Sequence, residues 1–527
     1  MKKLLLTTTF FLIFCEIFSQ NSYYVQFKDK NGTEFSLLQP QDFLSERALQ
    51  RRENQGIALD STDLPVSQTY LSALVANQAK ILYQIKWLNG AEILLNPAKV
   101  ADIQALPFVK FVEKTKENVQ NPLPTKNVAR KDVVRNATID LPENFVQNSM
   151  LGVDLLHNAG FRGAGKLIAV LDAGFPQVNA MSAFDTIQSR IVDTYNFVDM
   201  NANVYQHNSH GTLVLSTIGA YVENQIYGAA PEASFALYIS EEDGSETRRE
   251  PDNWIAAAER ADSIGADIIT SSLGYFNFDD GNNLTYNDLD GKTARISRAA
   301  TIAARKGIVV VNSAGNEAKR TWHYIIAPAD ADSILAVGSV TGGRQHSSFS
   351  SFGYSADGRV KPDVCAQGTA AFVVDTYNVI TTADGTSFSA PIIAGMTASL
   401  WSALPQLANI QLLNKIRESA TLYENPNDSL GYGIPNAWTV YQNNLSSTKN
   451  IFSDNQQYSA SIHDNILTIK TLNSDNYTVS LVNICGRIIF EKNSRGNSEF
   501  FIQNITKGIY ILAIKNKNSV FVEKLFY

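Results

Sequence analysis

Cysteine is scarce in this chain of 527 residues: only Cys15, Cys365 and Cys485 are present, and they lie far apart in the sequence. Their spacing excludes the C-x-x-C motifs of zinc sites and dithiol redox centres. Because 44% of the residues are hydrophobic, a chain of this length can bury a large core without cross-links. We therefore expect no structural disulfide.

The chain also lacks a block of basic residues. Its 44 Lys and Arg residues are outnumbered by 51 Asp and Glu residues, which gives a formal charge of -7. Nucleic-acid binding needs a basic patch to meet the phosphates, and nothing in this pattern supplies one. Soluble substrates or partners are expected, and no nucleic acid.

Long apolar runs are missing except at the N-terminus. There, two lysines precede an apolar run that ends in Phe18, Ser19 and Gln20, which is the three-part pattern of a secretory signal peptide. A membrane anchor is the alternative, but the run is shorter than the roughly 20 residues that a spanning helix needs. Residues 1–20 are therefore predicted to be a signal peptide, and we expect export.

The composition changes along the chain, which indicates several domains. Residues 21–120 alternate strand-like and helix-like pieces, with a helix predicted to start at Asp42 and two strands around Asn89-Gly90. This pattern predicts a small α+β unit. Residues 121–144 are polar, carry Pro122 and Pro124 and contain the dibasic Arg130-Lys131, as is typical of a linker that is cut during processing.

Residues 145–447 repeat an apolar strand, a loop and a helix. Continuous apolar runs such as KLIAVLDAG, ADIITSSLG and GIVVVNSAGN are typical of strands buried on both faces of a parallel sheet. The alternation predicts an α/β fold with a doubly wound, mostly parallel sheet flanked by helices. Residues 448–527 change to short alternating runs, which predict a separate small β-sandwich.

Four polar residues follow the predicted strands or start the predicted helices. Ligands bind at the carboxyl ends of strands in open parallel sheets, which makes Asp172, His210, Asn316 and Ser387 the first candidates. Each residue alone is more often structural, as when an Asp caps a turn. Together they supply what acyl transfer by a serine needs: a nucleophile, a base, a carboxylate that orients the base, and an amide donor for the oxyanion.

The stretch ADGTSFSAPIIAGMTASL, residues 383–400, places small polar residues at the head of an apolar helix. Such residues can serve as helix punctuation, because Ser, Thr and Asp cap helices and Pro is tolerated in a first turn. A nucleophilic serine is the other interpretation. Ser387 lies in G-T-S-F-S, so the G-x-S-x-G elbow of the α/β-hydrolases is absent, and the chain order is Asp, His, Ser.

These motifs resemble those of the subtilisin-like serine peptidases. AVLDAGF, HNSHGTLVLSTIGA, NSAGNEA and GTSFSAPIIAGMTASL are similar to the Asp, His, oxyanion-Asn and Ser motifs of that family. The resemblance, which covers roughly residues 145–445, implies that Ser387 is the nucleophile and His210 the base. It also implies that Asp172 orients His210, and that Asn316 binds the oxyanion together with the Ser387 backbone amide.

The same resemblance implies a peptide-binding cleft. SSLG is similar to the strand that lines the family's cleft, and SFSSFGYSADGRVKPDVCAQG is similar to the segment upstream of the serine, although Tyr354 stands where the family commonly has Pro. The implied substrate-binding residues are Ser271, Ser272, Leu273, Gly274, Ser313, Ala314 and Gly315.

The two ends of the chain carry further resemblances. Residues 22–114 resemble the family's inhibitory prodomain, with an unrelated α+β domain as the alternative. The tail resembles the C-terminal sorting domain of type IX secretion in Gram-negative bacteria, with an adhesive or carbohydrate-binding β-module as the alternative. The implied partners are peptide or protein substrates, the chain's own prodomain as inhibitor, and the outer-membrane secretion machinery. The implied location is the medium or the cell surface.

Other functions stay open at this point. A catalytically silent surface binding or adhesive protein would be expected to lose at least one of the four residues, and an esterase could use the same triad. The chemistry requires no cofactor. The acidic loop FDDGNNLTYNDLDGK lacks EF-hand spacing because Tyr286 stands two residues before Asp288, so we favour a solvated turn over a calcium site.

Overall fold

The computed structural model describes residues 20–117, 144–447, 458–463, 465–471, 475–483, 487–503, 505–506, 508–517 and 520–527. The chain forms two compact units, Met1–Tyr441 and Gln442–Tyr527. Residues 1–19 of the predicted signal peptide and residues 121–143 of the predicted linker lie outside the described residues. None of the helices in the described ranges is long and apolar enough to cross a membrane.

A small α+β domain begins the first unit, as predicted. Its strands β1 to β4 are Asn21–Phe27, Lys80–Ile85, Gly90–Leu95 and Val109–Lys116, and its helices α1 to α3 are Glu46–Asn54, Gln68–Ala76 and Val100–Gln104. The strands form an antiparallel sheet in the order β2-β3-β1-β4. The predicted turn at Asn89-Gly90 joins β2 to β3, with Asn89 at a φ of 53°. We refer to the described residues of this domain, 21–117, as the N-terminal domain.

Two helices of this domain differ from the prediction. The first helix begins after Ser45, whose side chain accepts a hydrogen bond from the Ala48 N–H at 3.2 Å. The predicted start at Asp42 is wrong, because that residue ends a separate turn of 3-10 helix that begins at Pro40. Helix α2 was not predicted: it buries only Leu71 and Leu74, which is too few apolar positions for a clear helical period.

The rest of the first unit contains a seven-stranded parallel sheet. Strands β5 to β15 are Leu167–Asp172, Ile191–Asn196, Tyr221–Val222, Ile226–Tyr227, Ser234–Ile239, Ile268–Ser271, Val309–Ser313, Leu335–Val340, Val364–Gln367, Ala371–Val374 and Ile380–Ala383. Helices α4 to α11 are Phe145–Ser149, Val153–Asn158, His210–Gly219, Arg249–Ile264, Arg295–Arg305, Thr386–Ala403, Asn409–Glu418 and Ala437–Ser447. The sheet order is β13-β12-β11-β10-β5-β9-β6, and each neighbouring pair is parallel. This is the predicted doubly wound architecture.

Helices cover both faces of this sheet, and alternate residues of β5 show how. Ile168 and Val170 lie in one buried cluster with residues of α6 and α9, whereas Leu167, Ala169 and Leu171 lie in a second cluster with residues of α7 and α8. Successive side chains of a strand point to opposite faces, so a strand covered on both sides must be apolar throughout. That requirement explains the continuous apolar runs of the sequence.

The second unit contains two antiparallel sheets that share one core. Its strands β16 to β22 are Tyr458–His463, Ile466–Thr471, Asn476–Asn483, Ile488–Arg495, Ser498–Phe501, Ile509–Lys515 and Val520–Phe526. The sheets have the orders β16-β17-β20 and β19-β18-β21-β22. Alternating residues such as Leu467, Val479 and Leu512 are fully buried in the shared core. This arrangement is the small β-sandwich that the alternating pattern predicts.

Candidate active site

The strand register brings the predicted site residues to one edge of the large sheet. Leu171 of β5 pairs with Ser271 of β10, and Ser271 pairs with Asn312 of β11. The three strands therefore end level with one another. Asp172, Ser272 and Ser313 come at the carboxyl edge, where ligands bind in open parallel sheets.

Asp172 and His210 form a hydrogen-bonded pair at this edge. The Asp172 carboxylate is fully buried, and its Oδ1 lies 2.8 Å from Nδ1 of His210. The same oxygen accepts the Ala173 N–H at 2.7 Å. A carboxylate at Nδ1 favours the tautomer that carries its proton there, which leaves Nε2 as a base.

A glycine next to His210 allows this pair to form. His210 is the first residue of α6, and Gly211 follows it. A Cβ on Gly211 would stand 2.4 Å from the Gly174 carbonyl oxygen and 2.9 Å from Cβ of Asp172. Any side chain there would push the helix away from β5, so the G in the H-G-T motif sets the distance between the carboxylate and the imidazole.

The surroundings of His210 favour its protonated form. Burial lowers the pKa of the imidazole, but the charge of Asp172, the hydrogen bond to it and the charge of Glu241 together raise the pKa above its ordinary value. The imidazole is therefore placed to hold a proton that it takes from a neighbouring group.

Ser387 lies in the first turn of α9 and is largely buried. Its Oγ donates to the Ser272 carbonyl oxygen at 3.5 Å, a long hydrogen bond. The ring centroids of His210 and Phe388 are 5.9 Å apart, so the imidazole lies beside the start of this helix. A helix N-terminus favours negative charge, which suits a serine at which an oxyanion develops.

Pro391 has a specific effect on Ser387. A proline has no N–H, so the carbonyl four residues earlier loses its helical partner, and that carbonyl belongs to Ser387. The Ser272 Oγ donates to this oxygen at 2.8 Å and replaces the missing bond. The S-x-x-x-P spacing therefore ties the serine to the strand that follows β10. Farther along, Gly395 permits close packing, because a Cβ there would stand 2.6 Å from Cβ of Ala229.

Asn316 is oriented by the residue before Ser387. Its Oδ1 accepts from the backbone N–H of Thr386 at 2.9 Å and from the Thr386 hydroxyl at 3.0 Å. Because the carboxamide oxygen is held in this way, the NH₂ group is turned to the opposite side as a donor. Thr386 was not singled out from the sequence, although a hydroxyl at the start of a helix is an ordinary sign of such a role.

The seven predicted substrate-binding residues have different surroundings. Two direct their side chains into the core: the Ser271 hydroxyl accepts from the Trp254 indole at 2.9 Å, and Ala314 is fully buried. Ser272 binds Ser387 as described above. The Gly315 N–H is 3.3 Å from the Thr386 hydroxyl. Ser313 is buried, whereas Leu273 is 8% exposed and Gly274 is partly exposed.

Two carboxylates of the acidic loop, residues 278–292, bind nearby groups of the same chain segment. Asp288 accepts from the N–H and the hydroxyl of Thr285, each at 2.7 Å, and Asp290 accepts from the backbone of Lys292 and Thr293. These bonds are turn and cap contacts within the loop. The solvated-turn interpretation of this segment stays a prediction.

Comparison with known proteins gives matches along most of the chain. Residues 163–433 match the family model "Subtilase family", residues 22–132 match "Peptidase S8 propeptide domain, Bacteroidota", and residues 463–527 match "Secretion system C-terminal sorting domain". Subtilisin DY of Bacillus licheniformis is 30% identical over 287 residues, which are 54% of this chain and 93% of that protein. Subtilisin NAT of Bacillus subtilis subsp. natto is 29% identical over 356 residues, 66% of this chain and 79% of that protein.

A solved structure supports the fold. The epidermin leader peptide processing serine protease of Staphylococcus aureus aligns with 80% of this chain and 99% of its own, with a TM-score of 0.55 and 14% sequence identity. At that identity the likeness concerns the fold alone.

Proposed function

Because the chain belongs to the subtilase family and is a serine-type endopeptidase with a secretion sorting tail, we propose that it hydrolyses peptide bonds through Asp172, His210 and Ser387. The observation that carries the proposal is the buried Asp172–His210 hydrogen bond of 2.8 Å beside the first turn of α9, which holds Ser387. The three residues come from separate elements that meet at one sheet edge.

The reaction proceeds in two halves. His210 Nε2 takes the hydroxyl proton as Ser387 Oγ bonds to the scissile carbonyl carbon, and the same proton then goes to the leaving amine as the C–N bond breaks. Water, deprotonated by His210, then attacks the acyl carbon; the bond from that carbon to Ser387 Oγ breaks, His210 returns the proton to Oγ, and the new carboxylate leaves. The long resting bond of Ser387 to Ser272 is weak enough to be exchanged for a bond to His210 when a substrate binds.

The oxyanion of each tetrahedral intermediate accepts hydrogen bonds from the Asn316 NH₂ group and the Ser387 backbone N–H. Thr386 supports this role because it holds the carboxamide oxygen of Asn316 in a fixed direction. A donor that is already oriented needs no reorganisation when the charge develops.

The substrate lies along the backbone of two segments, residues 271–274 and 313–315. We assign main-chain contacts to Ser272, Leu273, Gly274, Ser313 and Gly315, whereas the side chains of Ser271 and Ala314 support these segments from the core. Packing excludes a side chain at Gly274, because a Cβ there would stand 2.5 Å from the side chain of Ile326.

Residues 21–120 act as an inhibitory prodomain that is removed by cleavage within residues 121–144. The Lys116 ammonium at the end of β4 pairs with Glu242, three residues after β9 ends at Ile239. The N-terminal domain thus ends beside the carboxyl edge where the site lies, and the segment to be cut starts there.

The sorting-domain match assigns the protein to the exported class, with the cell surface or the medium as its location. We assign recognition by the secretion machinery to residues 448–527. None of the proposed catalytic residues lies in that segment.

Labelling with a fluorophosphonate probe tests the proposal. The probe forms a covalent bond only with an activated serine, so the secreted protein should be labelled and Ser387→Ala should not be. Ser389→Ala is the matched control, since this neighbouring serine is buried and its hydroxyl donates to the Thr386 carbonyl at 3.0 Å. Equal labelling of the Ser387→Ala protein would contradict the assignment.

A further inference from the structure

Three glutamates that the proposed reaction does not use converge beside the site. One carboxylate oxygen from each of Glu241, Glu246 and Glu250 lies within 4.8 Å of the others. We call these three residues the acidic cluster. Glu241 and Glu246 belong to the connection between β9 and α7, and Glu250 lies in the first turn of α7.

The position of the acidic cluster relates it to the cleft. The Glu241 carboxylate accepts from the Tyr275 hydroxyl at 2.7 Å, and Tyr275 directly follows the proposed peptide-binding residues 272–274. Ser240, the residue before Glu241, donates its N–H to the Asp172 carbonyl oxygen at 3.1 Å. The charge of Glu241 also helps to raise the pKa of His210. The cluster therefore borders both the triad and the peptide-binding segment.

Glu250 is the buried member of the acidic cluster, where burial and the charges of Glu241 and Glu246 raise the pKa of its carboxyl well above the usual range. Its side chain is fully buried, and its Oε1 accepts from the Ser245 hydroxyl at 3.1 Å. Its Oε2 is buried without a hydrogen-bond partner among the described residues. A buried carboxylate oxygen without a donor is costly, and two further carboxylates close by add to that cost. A cation with N–H donors would supply the missing hydrogen bond to Oε2 and would balance the negative charges of the cluster.

A guanidinium or ammonium group fits this arrangement better than a metal ion. Calcium takes six to eight oxygen ligands, and only three acidic side chains meet here within the described ranges. One of them, Glu241, already accepts a hydrogen bond from Tyr275. A guanidinium carries five N–H donors that can serve several carboxylates at once. Glu241 and Glu246 are both partly exposed, so the cluster is not closed off from solvent.

We propose that the acidic cluster is a subsite for a lysine or arginine side chain of the substrate, so that the enzyme prefers peptides with a basic residue at the position facing Glu250. This inference rests on the proposed function, because the cluster selects substrates for the cleft that contains Ser387. The established family membership does not specify a basic preference.

Peptide kinetics with the active secreted protein test this subsite. We compare kcat/KM for pairs of fluorogenic peptides that carry either Arg or norleucine at one position. The comparison is repeated with the substitution at each position along the peptide. We expect the wild-type kcat/KM to favour Arg at one position by roughly tenfold to a hundredfold, since a fully desolvated charge pair dominates such selectivity. In Glu250→Gln this ratio should fall to within a few fold of one, because the amide keeps the acceptor for Ser245 and loses the charge.

Two further variants make the test specific. Glu246→Gln changes a partly exposed carboxylate, so it should lower the Arg-to-norleucine ratio of kcat/KM by less than Glu250→Gln does. It replaces Glu250→Gln in the test if the substitution at the buried Glu250 impairs folding. Asp243→Asn removes the same charge from the same connection outside the cluster and should keep the wild-type ratio. The absence of any Arg preference in the wild type, or an unchanged ratio in both glutamate variants, would overturn the subsite.

A metal site is distinguished by chelation. If EDTA lowers the melting temperature of the wild type but not of Glu250→Gln, and calcium restores it, the cluster binds a metal and the proposal is wrong. If EDTA shifts neither protein, the peptide-side-chain assignment is supported. Failure of the subsite leaves hydrolysis and labelling at Ser387 intact. Failure of the proposed function would instead appear as hydrolysis that survives Ser387→Ala.

Discussion

Two buried polar networks of the first unit differ in how completely they are paired. At the carboxyl edge, Asp172 holds His210 and the Ala173 N–H through Oδ1, while its Oδ2 is buried without a hydrogen-bond partner among the described residues. At the outer face of α7, Asp262 is paired with Arg51 and Arg52, with Lys86 3.8 Å away. The first network is sparse, and the second is dense.

The dense network joins the N-terminal domain to the peptidase domain. We call it the interface network; its members are Arg51, Arg52, Asp63 and Lys86 of the N-terminal domain and Asp262 and Lys306 of the peptidase domain. Arg52 is 2.8 Å from Asp63, and Lys306 is 2.8 Å from the same carboxylate. The side chains of all six residues are at most 9% exposed.

The comparison shows which contacts would suit a domain that, as we propose, is removed by cleavage. The network around Asp172 uses residues of the peptidase domain alone, so its contacts do not depend on the N-terminal domain. The interface network is complete only while both domains are joined, and its charges return to water on separation. Charged contacts favour such reversible docking more than a purely apolar interface would. Each prediction below disturbs one region and uses the other as its reference.

The largest effect is expected from Ser387→Ala. Removal of the nucleophile should lower turnover by about 10⁶, because the members of a triad act as a unit. The interface network should be unchanged, so amide exchange in α1 should match the wild type before processing. Turnover of a peptide substrate by the purified variant is the measurement, and wild-type turnover would contradict the triad.

Asp262→Asn should loosen the N-terminal domain. It leaves the buried Arg51 and Arg52 without their shared carboxylate, and removing one partner of a buried ion pair is destabilising by about 3–5 kcal/mol. In the Ser387→Ala background, which blocks self-cleavage, amide exchange in α1 should accelerate at least roughly a hundredfold.

The control for this variant is Asp102→Asn. It breaks the exposed Lys99–Asp102 pair of the same domain, which contributes at most about 1 kcal/mol. If both variants exchange at the same rate, the interface network does not hold the domain.

Asn316→Ala should lower turnover by roughly 10²–10³ with little change in KM, since its NH₂ group is needed mainly when the oxyanion forms. Thr386→Val should show part of this loss, because it removes one of the two bonds that orient Asn316. If only KM changes, Asn316 binds the substrate in its ground state and does not stabilise the oxyanion. Exchange in α1 should again stay unchanged.

The sequence could predict which strand ends and helix starts meet at the candidate active site, because each of its motifs is local. Asp172, Asn316 and Ser387 each stand in a short motif beside a strand end or a helix start, and the parallel sheet brings such ends together. Pro391 carried a signal that was not used, since its missing N–H implies an outside donor for Ser387.

The interface network could not be predicted in the same way. Arg51 and Asp262 are 211 residues apart and lie on different domains, and each alone looks like an ordinary surface charge of a helix. The acidic cluster was missed for a related reason: its members meet only because the β9–α7 connection folds back on itself. Pairing between distant charges depends on docking geometry, which hydrophobic periodicity does not encode.

The smallest effect concerns pH and Glu259. This carboxylate of α7 accepts the N–H groups of Lys86 and Trp87, each at 2.8 Å, from the N-terminal domain. Burial raises its pKa from 4.5 to about 7, although the Lys86 charge and the two hydrogen bonds oppose the rise. A raised pKa means that the docked state binds the proton more tightly than the unfolded chain does. Its contribution to stability is therefore fully present below pH 4.5 and is lost as the pH rises through about 7.

Glu259→Gln should remove this pH dependence. Between pH 4.5 and 7, docking of the N-terminal domain should weaken by at most about 3 kcal/mol in the Ser387→Ala chain, as expected from the shift in the pKa of Glu259. In the chain that also carries Glu259→Gln, protection of the α1 amides should depend less on pH than in the Ser387→Ala chain. Because both chains contain His210 and the interface network, the difference between them isolates Glu259. If the α1 exchange rates of the two chains change with pH in the same way, the Glu259 carboxylate does not couple docking to pH.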